Sequence, residues 1–216
     1  MELKDQKHKV SYSIGVDIGR SLQRNGTDVD VKVLAQGMKD LLAGGPLLMA
    51  DEEIKEVFTQ VKAENAAKQY AKYEATAETN KKDGAAFLER NSKEEGVILL
   101  PSGLQYQVLK EGSGRSPGPG DTVSVHYRGM FIDGREFDSS YQRGQPTSFP
   151  VMGVIKGWTE ALQLMKEGSQ WRIAVPPDLA YGESGTPGGP IGPNQVLLFE
   201  LEILKIMDAG QSQPIE

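Results

Sequence analysis

VSVHYRGMFIDGREFDSS, running from Val123 to Ser140, decides how the C-terminal half of this 216-residue chain folds. Val125, Tyr127, Gly129 and Phe131 alternate with polar residues, the period of a strand with one buried face. Asp133-Gly134 is the two-residue connection that tight hairpins prefer, with positive φ expected at both positions. The return strand ends in Phe137-Asp138. Neighbours on a strand point to opposite faces, so one of the two belongs inside and the other outside. Either the strand ends or bulges here, letting both side chains reach one pocket, or Asp138 points outward and caps a turn.

Outward from this hairpin the period of two continues. Leu104, Tyr106 and Val108 alternate, and "WRIAV" from Trp171 and "VLLFELEIL" from Val196 read as further strands. A single short helix is expected in "GWTEALQLM" from Gly157, with Trp158, Leu162 and Met165 on one face. Many strands and one helix make an α+β domain, an antiparallel sheet wrapped over a helix. Roughly 110 residues suffice for an independent core.

Before Pro101 the text is helical. Ile14, Ile18 and Leu22 recur at four-residue spacing and stop at Asn25-Gly26. Val31, Leu34, Ala35, Met38, Leu41 and Leu42 form a second stripe, closed by Gly44-Gly45-Pro46. A third helix is expected from Asp51 to about Ser92, with Asp51-Glu52-Glu53 favourably placed at the positive end of its dipole. Ile54, Val57, Phe58 and Val61 make an ordinary apolar stripe. Beyond Val61 the run is Ala, Lys, Glu and Gln on most faces, and Gly84 reads as its weak point. A helix polar nearly all round is a spacer between domains, the reading taken here, in preference to a helix packed along its length. About 40 residues would span on the order of 60 Å.

Composition excludes several classes of function. A net charge of −6, with neither half of the chain basic, argues against nucleic acid as the main partner. No cysteine is present and only two histidines, His8 and His126, so a four-ligand zinc site is not expected. His126 falls opposite Tyr127 and reads as a solvated strand residue. Ser139, His126 and Asp138 would be crowded on one hairpin as a catalytic triad, and "GESGT" lacks the last glycine of a nucleophile elbow. The loop "GSGRSPGPGD" has neither phosphate-loop spacing nor a Gly-Lys-Ser/Thr ending, and its prolines remove donors. Asn25-Gly26-Thr27 fits a glycosylation triplet, a match too short to carry weight. No apolar run approaches the roughly 18 residues of a membrane span. The charged "MELKDQKHKV" has no signal-peptide pattern.

What remains is an aromatic set in Gly- and Pro-marked contexts: Tyr127, Phe137, Trp158, Tyr181 and Phe199. "VSVHYRGMFIDGREFDSS", "VIKGWTEAL", "VPPDLAYG" and "LLFELEIL" resemble the FK506-binding-protein (FKBP) type of peptidyl-prolyl cis/trans isomerase. "YSIGVDIG" and "LPSGLQYQVL" resemble the macrophage infectivity potentiator (Mip) branch of its bacterial members, and the likeness covers nearly the whole chain. The resemblance implies a curved antiparallel sheet around one helix and a pocket with Trp158 as its floor. Tyr127, Phe137, Val154, Ile155 and Phe199 would be walls, with the Ile155 N–H a ligand contact. Asp138 and Tyr181 would be the polar members, with Arg143 near the aspartate and Ile191 a further binding residue. Asp138, Tyr181, Phe137 and Trp158 are the expected catalytic set, with no cofactor or metal. Thr147 stands where many relatives have an aromatic rim residue and Thr186 where they have an aromatic or histidine, so weaker rim contacts with inhibitors are expected.

The expected domains are a helical dimerisation domain over residues 1–50, a connecting helix over 51–95 and an isomerase domain over 96–216. Dimerisation is expected because the stripes of the first two helices exceed what one pair can cover, and Gly15 and Gly19 allow close approach. The Mip branch is dimeric through this region. Expected partners are Pro-containing or unfolded polypeptides and FK506- or rapamycin-type ligands, with no nucleic acid and no membrane span. The expected compartment is the periplasm or outer-membrane surface of a bacterium, which presupposes a leader removed ahead of Met1; the cytoplasm is the alternative. A dimeric chaperone with little turnover is the competing function.

Overall fold

The computed structural model of the protein describes residues 2–208. By its contacts the chain divides into two compact units, one up to Lys72 and one from Tyr73, so the boundary falls inside a helix.

The first unit is entirely helical. Helix α1 (Gln6–Asn25) starts where Asp5 accepts a hydrogen bond from the His8 amide at 2.8 Å and ends at Gly26, with φ of 63°. Helix α2 (Val31–Ala43) is capped by Asp30, which accepts from the amides of Lys32 and Val33, and stops at Gly44, with φ of 66°. These side-chain caps and left-handed glycines satisfy backbone groups that helix ends leave open. No residue of α1 or α2 is buried. Leu42 is 84% exposed and Phe58 62%.

Helix α3 (Asp51–Asn91) runs unbroken for 41 residues. From Tyr73 onward it belongs to the second unit, so the polar stretch is not a spacer along its whole length. Gly84 is buried rather than weak: a Cβ there would lie 2.8 Å from Val196 Cγ2. The helix ends on strand β2 (Gln105–Lys110). Gln105 donates to the Leu88 carbonyl at 2.9 Å and accepts from Asn91 at 2.8 Å, which explains a buried glutamine.

The second unit is one antiparallel sheet. Strands β1 (Val97–Leu99), β2, β3 (Thr122–Phe131), β4 (Glu136–Ser139), β6 (Gln170–Val175) and β7 (Leu197–Met207) take the order β1-β2-β6-β7-β3-β4. Strand β5 (Thr147–Pro150) shares an edge of β3 with β4. It pairs with Thr122–Val125, while β4 pairs with Arg128–Met130, and residues 140–146 loop out between them. Helix α4 (Lys156–Leu164) contributes Trp158, Ala161 and Leu162 to a core shared with Val123, Val125, Ile173, Leu201 and Ile203. Gly157 lets α4 sit against β6, because a Cβ there would be 2.5 Å from Val175 Cγ1.

The β3–β4 hairpin differs from expectation. Only Gly134 takes positive φ, at 84°, while the Gly134 amide bonds to Phe131 O and the Phe131 amide to Arg135 O, both at 2.9 Å. This is a three-residue loop closed by a left-handed glycine. Asp133 avoids positive φ because its carboxylate holds the Arg135 amide at 3.0 Å.

Candidate functional site

Register explains how Phe137 and Asp138 reach one pocket. Gly129 faces Asp138 and Met130 faces Glu136, so Phe137 is the extra residue of a bulge. Directly opposed residues share a face, and Gly129 lies on the inward face of β3. Asp138 is therefore the regular inward residue, and the bulge turns Phe137 inward beside it. Gly129 makes room for that ring: a Cβ would sit 2.7 Å from Phe137 and 3.0 Å from Phe199.

The pocket is about 450 Å³ and lies wholly within the second unit. Trp158, 4% exposed, is its floor on the first turn of α4. Three rings stand edge-on around it: Tyr127 at 5.1 Å, Phe199 at 5.2 Å and Phe149 at 5.6 Å between centroids. Edge-to-face packing favours this arrangement and fixes the rotamers of the walls. Val154 and Ile155 form the side where the chain enters α4, and Tyr181 stands 42% exposed at the mouth.

The polar edge is a closed triangle. Tyr127 OH donates to Asp138 Oδ2 at 2.5 Å, Arg143 donates to Asp138 Oδ1, and Arg143 also donates to Tyr127 OH at 2.8 Å. Burial pushes the Asp138 carboxyl up, but the hydrogen bonds from Tyr127 and Arg143 and the guanidinium charge outweigh it, holding the group below its ordinary value. Burial, then the bond to Asp138, raises the Tyr127 phenol. Across the neutral range the edge thus holds an ionised carboxylate and a neutral phenol.

Of the residues expected at the site, Tyr127, Phe137, Asp138, Val154, Ile155, Trp158, Tyr181 and Phe199 line this one cavity. Arg143 stands behind it, bonded to Asp138. Ile191 lies in the core at 6% exposure, where its amide and carbonyl are tied to Thr186. Thr186 accordingly closes a loop. Sequence reasoning missed Phe149, Gly153 and Ala180. Phe149 follows Thr147 by two residues on β5 and so shares its face, a signal that was present in the alternation.

No triad forms. His126 stacks on Tyr141 at 4.6 Å with Nδ1 2.9 Å from Ser140 Oγ, on the other side of the sheet from Asp138. Among the described residues no group of three His, Asp or Glu could hold a metal ion.

The site is thus an aromatic cleft of ring-sized width with a fixed polar edge. Comparison with known proteins agrees. Residues 113–204 match the family described as FKBP-type peptidyl-prolyl cis-trans isomerase, and residues 7–108 match the domain amino-terminal to it. The outer membrane protein MIP of Legionella longbeachae is 45% identical over 96% of this chain and 89% of its own length. The peptidyl-prolyl cis-trans isomerase Mip of Coxiella burnetii is 42% identical over 94% and 88% respectively. The crystal structure of FkpA from Escherichia coli superposes with a TM-score of 0.73 at 38% identity, covering 96% of this chain and all of that one. The chain belongs to the FKBP-type peptidyl-prolyl cis/trans isomerases, and its activity is the interconversion of X-Pro peptide bonds.

Proposed function

We propose that the Trp158 cleft is the isomerase site and that the protein works as a dimeric folding catalyst on Pro-containing chains. The observation that carries this reading is the pairing of an apolar, ring-sized cavity with Asp138, whose two oxygens are both engaged. The barrier to X-Pro rotation is about 18–20 kcal/mol, and no covalent bond need break. The planar amide is polar through resonance, and the twisted transition state has lost that charge separation. Relative to water, an apolar pocket favours the twisted form, and each 1.36 kcal/mol of that preference is about tenfold in rate. Trp158 seats the proline ring, with Tyr127, Phe137, Val154, Ile155 and Phe199 around it. The Ile155 N–H and Tyr181 OH hold flanking carbonyls, which limits the poses that bind. Asp138 acts as a fixed charge near the rotating carbonyl, since an engaged, low-pKa carboxylate is a poor proton donor at neutral pH. FK506- and rapamycin-type ligands compete for the same pocket through their proline-like ring.

The dimer reading rests on the first unit. Val31, Leu41 and Leu42 of α2 and Phe58 of α3 are exposed, and a depression of about 690 Å³ beside α1 is lined by Leu3, Tyr12, Gly15 and Val16 together with Glu2, His8 and Ser11. The occupant is a second copy of this chain. Two sites in one assembly raise the effective concentration of an unfolded chain bearing several prolines. An envelope location, in the periplasm or at the outer-membrane surface, suits a cysteine-free chain, and the Legionella longbeachae relative is named an outer membrane protein. No described helix is long and apolar enough to cross a membrane.

The test is turnover of a short X-Pro peptide by Asp138→Leu and Tyr181→Ala. Each should lose about tenfold or more in kcat/KM with little change in thermal unfolding. Full activity in both variants would remove the pocket assignment.

A further inference from the structure

The loop from Tyr181 to Val196 carries one rim of the pocket, and its outer contacts converge on a single face of α3. Tyr73 OH donates to the Glu183 carbonyl, and Asn80 Nδ2 donates to the Pro193 carbonyl at 2.7 Å. Asn194 Nδ2 reaches the Ala77 carbonyl at 3.4 Å, and Val196 fills the space left by Gly84. Positions 73, 77, 80 and 84 are spaced by four, three and four residues, which places them on one helical stripe.

Inside the loop the chain is knotted to itself. The Thr186 amide donates to Ile191 O at 2.8 Å, the Gly192 amide to Gln195 Oε1 at 2.8 Å, and the Asn194 amide to Gly182 O at 3.0 Å. Asn194 holds a positive φ of 54°, the only described non-glycine residue to do so. The Gly182 carbonyl that fixes it is adjacent to Tyr181 in the chain. A pull on Pro193 or Asn194 is therefore delivered one peptide away from the rim of the pocket.

We propose that Asn80 and Tyr73 are positioning residues of the isomerase site, holding the Tyr181 rim through the 181–196 loop. The inference rests on the reading of the Trp158 cleft as the site. Asn80 is half-buried, and its side-chain amide donates to the Pro193 carbonyl at 2.7 Å. Small shifts of a rim group are costly to turnover, because the pose that reacts is narrow.

The decisive variant is Asn80→Asp, which keeps the shape and exchanges the donor for an acceptor. At pH 7 the new carboxylate faces the Pro193 carbonyl and repels it. Protonation restores a donor, and burial beside a carbonyl moves that protonation upward. Turnover measured by proton NMR exchange on a proline tetrapeptide, at a temperature where each variant is fully folded by circular dichroism, should fall about three- to tenfold at pH 7. It should recover toward the parent value by about pH 4.5, while the parent stays flat over that range. Tyr73→Phe, at an exposed position, should show a smaller loss and no recovery, and it keeps the test available if Asn80→Asp does not fold at pH 7. Parent-like turnover in both variants would overturn the proposal, as would a loss in Asn80→Asp that acid does not reverse. Full activity in both Asp138→Leu and Tyr181→Ala would instead overturn the site reading beneath it.

Discussion

The two stretches of helix α3 on either side of Lys72 invert what their side chains advertise. The earlier one carries a conventional apolar stripe, Ile54, Val57, Phe58 and Val61, yet Val57 and Phe58 stand exposed. The later one is built from Tyr, Asn, Lys, Glu and Ala, yet Gly84 is buried and Tyr73, Asn80 and Asn91 each bond to the sheet unit. An apolar stripe records that a face needs a partner, and the partner need not be in the same chain. Docking, conversely, requires no apolar stripe where a missing side chain admits a neighbour and amides can reach backbone carbonyls.

The most severe way to break this comparison is to deny the apolar stretch its partner. Replacing both Val57 and Phe58 by Asp should convert the proposed dimer to a monomer and melt much of the helicity of residues 5–72. The sheet unit should keep its own unfolding transition, because its core draws on none of those residues. Light scattering and circular dichroism of the variant check both halves of the statement, and a parent-like dimer would disprove it.

Trimming the docked stretch should have the next largest effect. A fragment from Tyr73 should unfold as stably as the sheet unit does in the full chain. One from Glu94, which keeps strand β1, loses Asn80, Gly84, Leu88 and Asn91 as partners and leaves Gln105 unsatisfied. At about 0.5–1.5 kcal/mol per net hydrogen bond plus an uncovered Val196, it should be weaker by about 2–4 kcal/mol. Urea denaturation of the two fragments measures the difference, and equal midpoints would return the later stretch to a spacer.

Gly84→Ala sharpens the same point. On propensity alone it should stabilise the helix by about 1 kcal/mol. Against Val196 at 2.8 Å it should cost about 1–3 kcal/mol through overpacking. A gain in thermal stability would show that the contact yields easily.

The smallest effect concerns pH. Asp138 has a depressed folded-state value, so its stabilisation is complete above the ordinary carboxylate range of about 4 and is lost as pH falls through the lower folded value. Because the side chain is 42% exposed, solvent reduces the contribution. Turnover on a short peptide should be level from about pH 5 to 9 and decline only below about 4. A step near neutrality would require another titrating group at the site.

Much of the second unit was legible from its residues because strand alternation is local. Val123 to Phe131 alternate as read, and Trp158 and Leu162 face the core from one helix. The pocket residues were legible through the family likeness, which assigns positions one by one. Phe149 shares a face with Thr147 by strand alternation, but the family likeness marks position 147 as the rim and assigns nothing to position 149. The hairpin turn was misread because Asp133 could satisfy a backbone amide from its own side chain, a choice that the dipeptide Asp-Gly does not reveal.

The amino-acid sequence by itself determined the α+β class, the helical first part, the short helix under the sheet and the aromatic set that makes the cleft. Each depends on period, composition or residue type within a short window. Tertiary structure alone decided three things: that the β4 bulge turns Phe137 inward beside a regularly placed Asp138, that Arg143 and Tyr127 occupy both carboxylate oxygens, and that α3 docks from Tyr73 onward. These depend on register and on the approach of residues from 5 to 117 positions apart in the chain, where a single methyl group, as at Gly84 against Val196, decides whether two segments can meet.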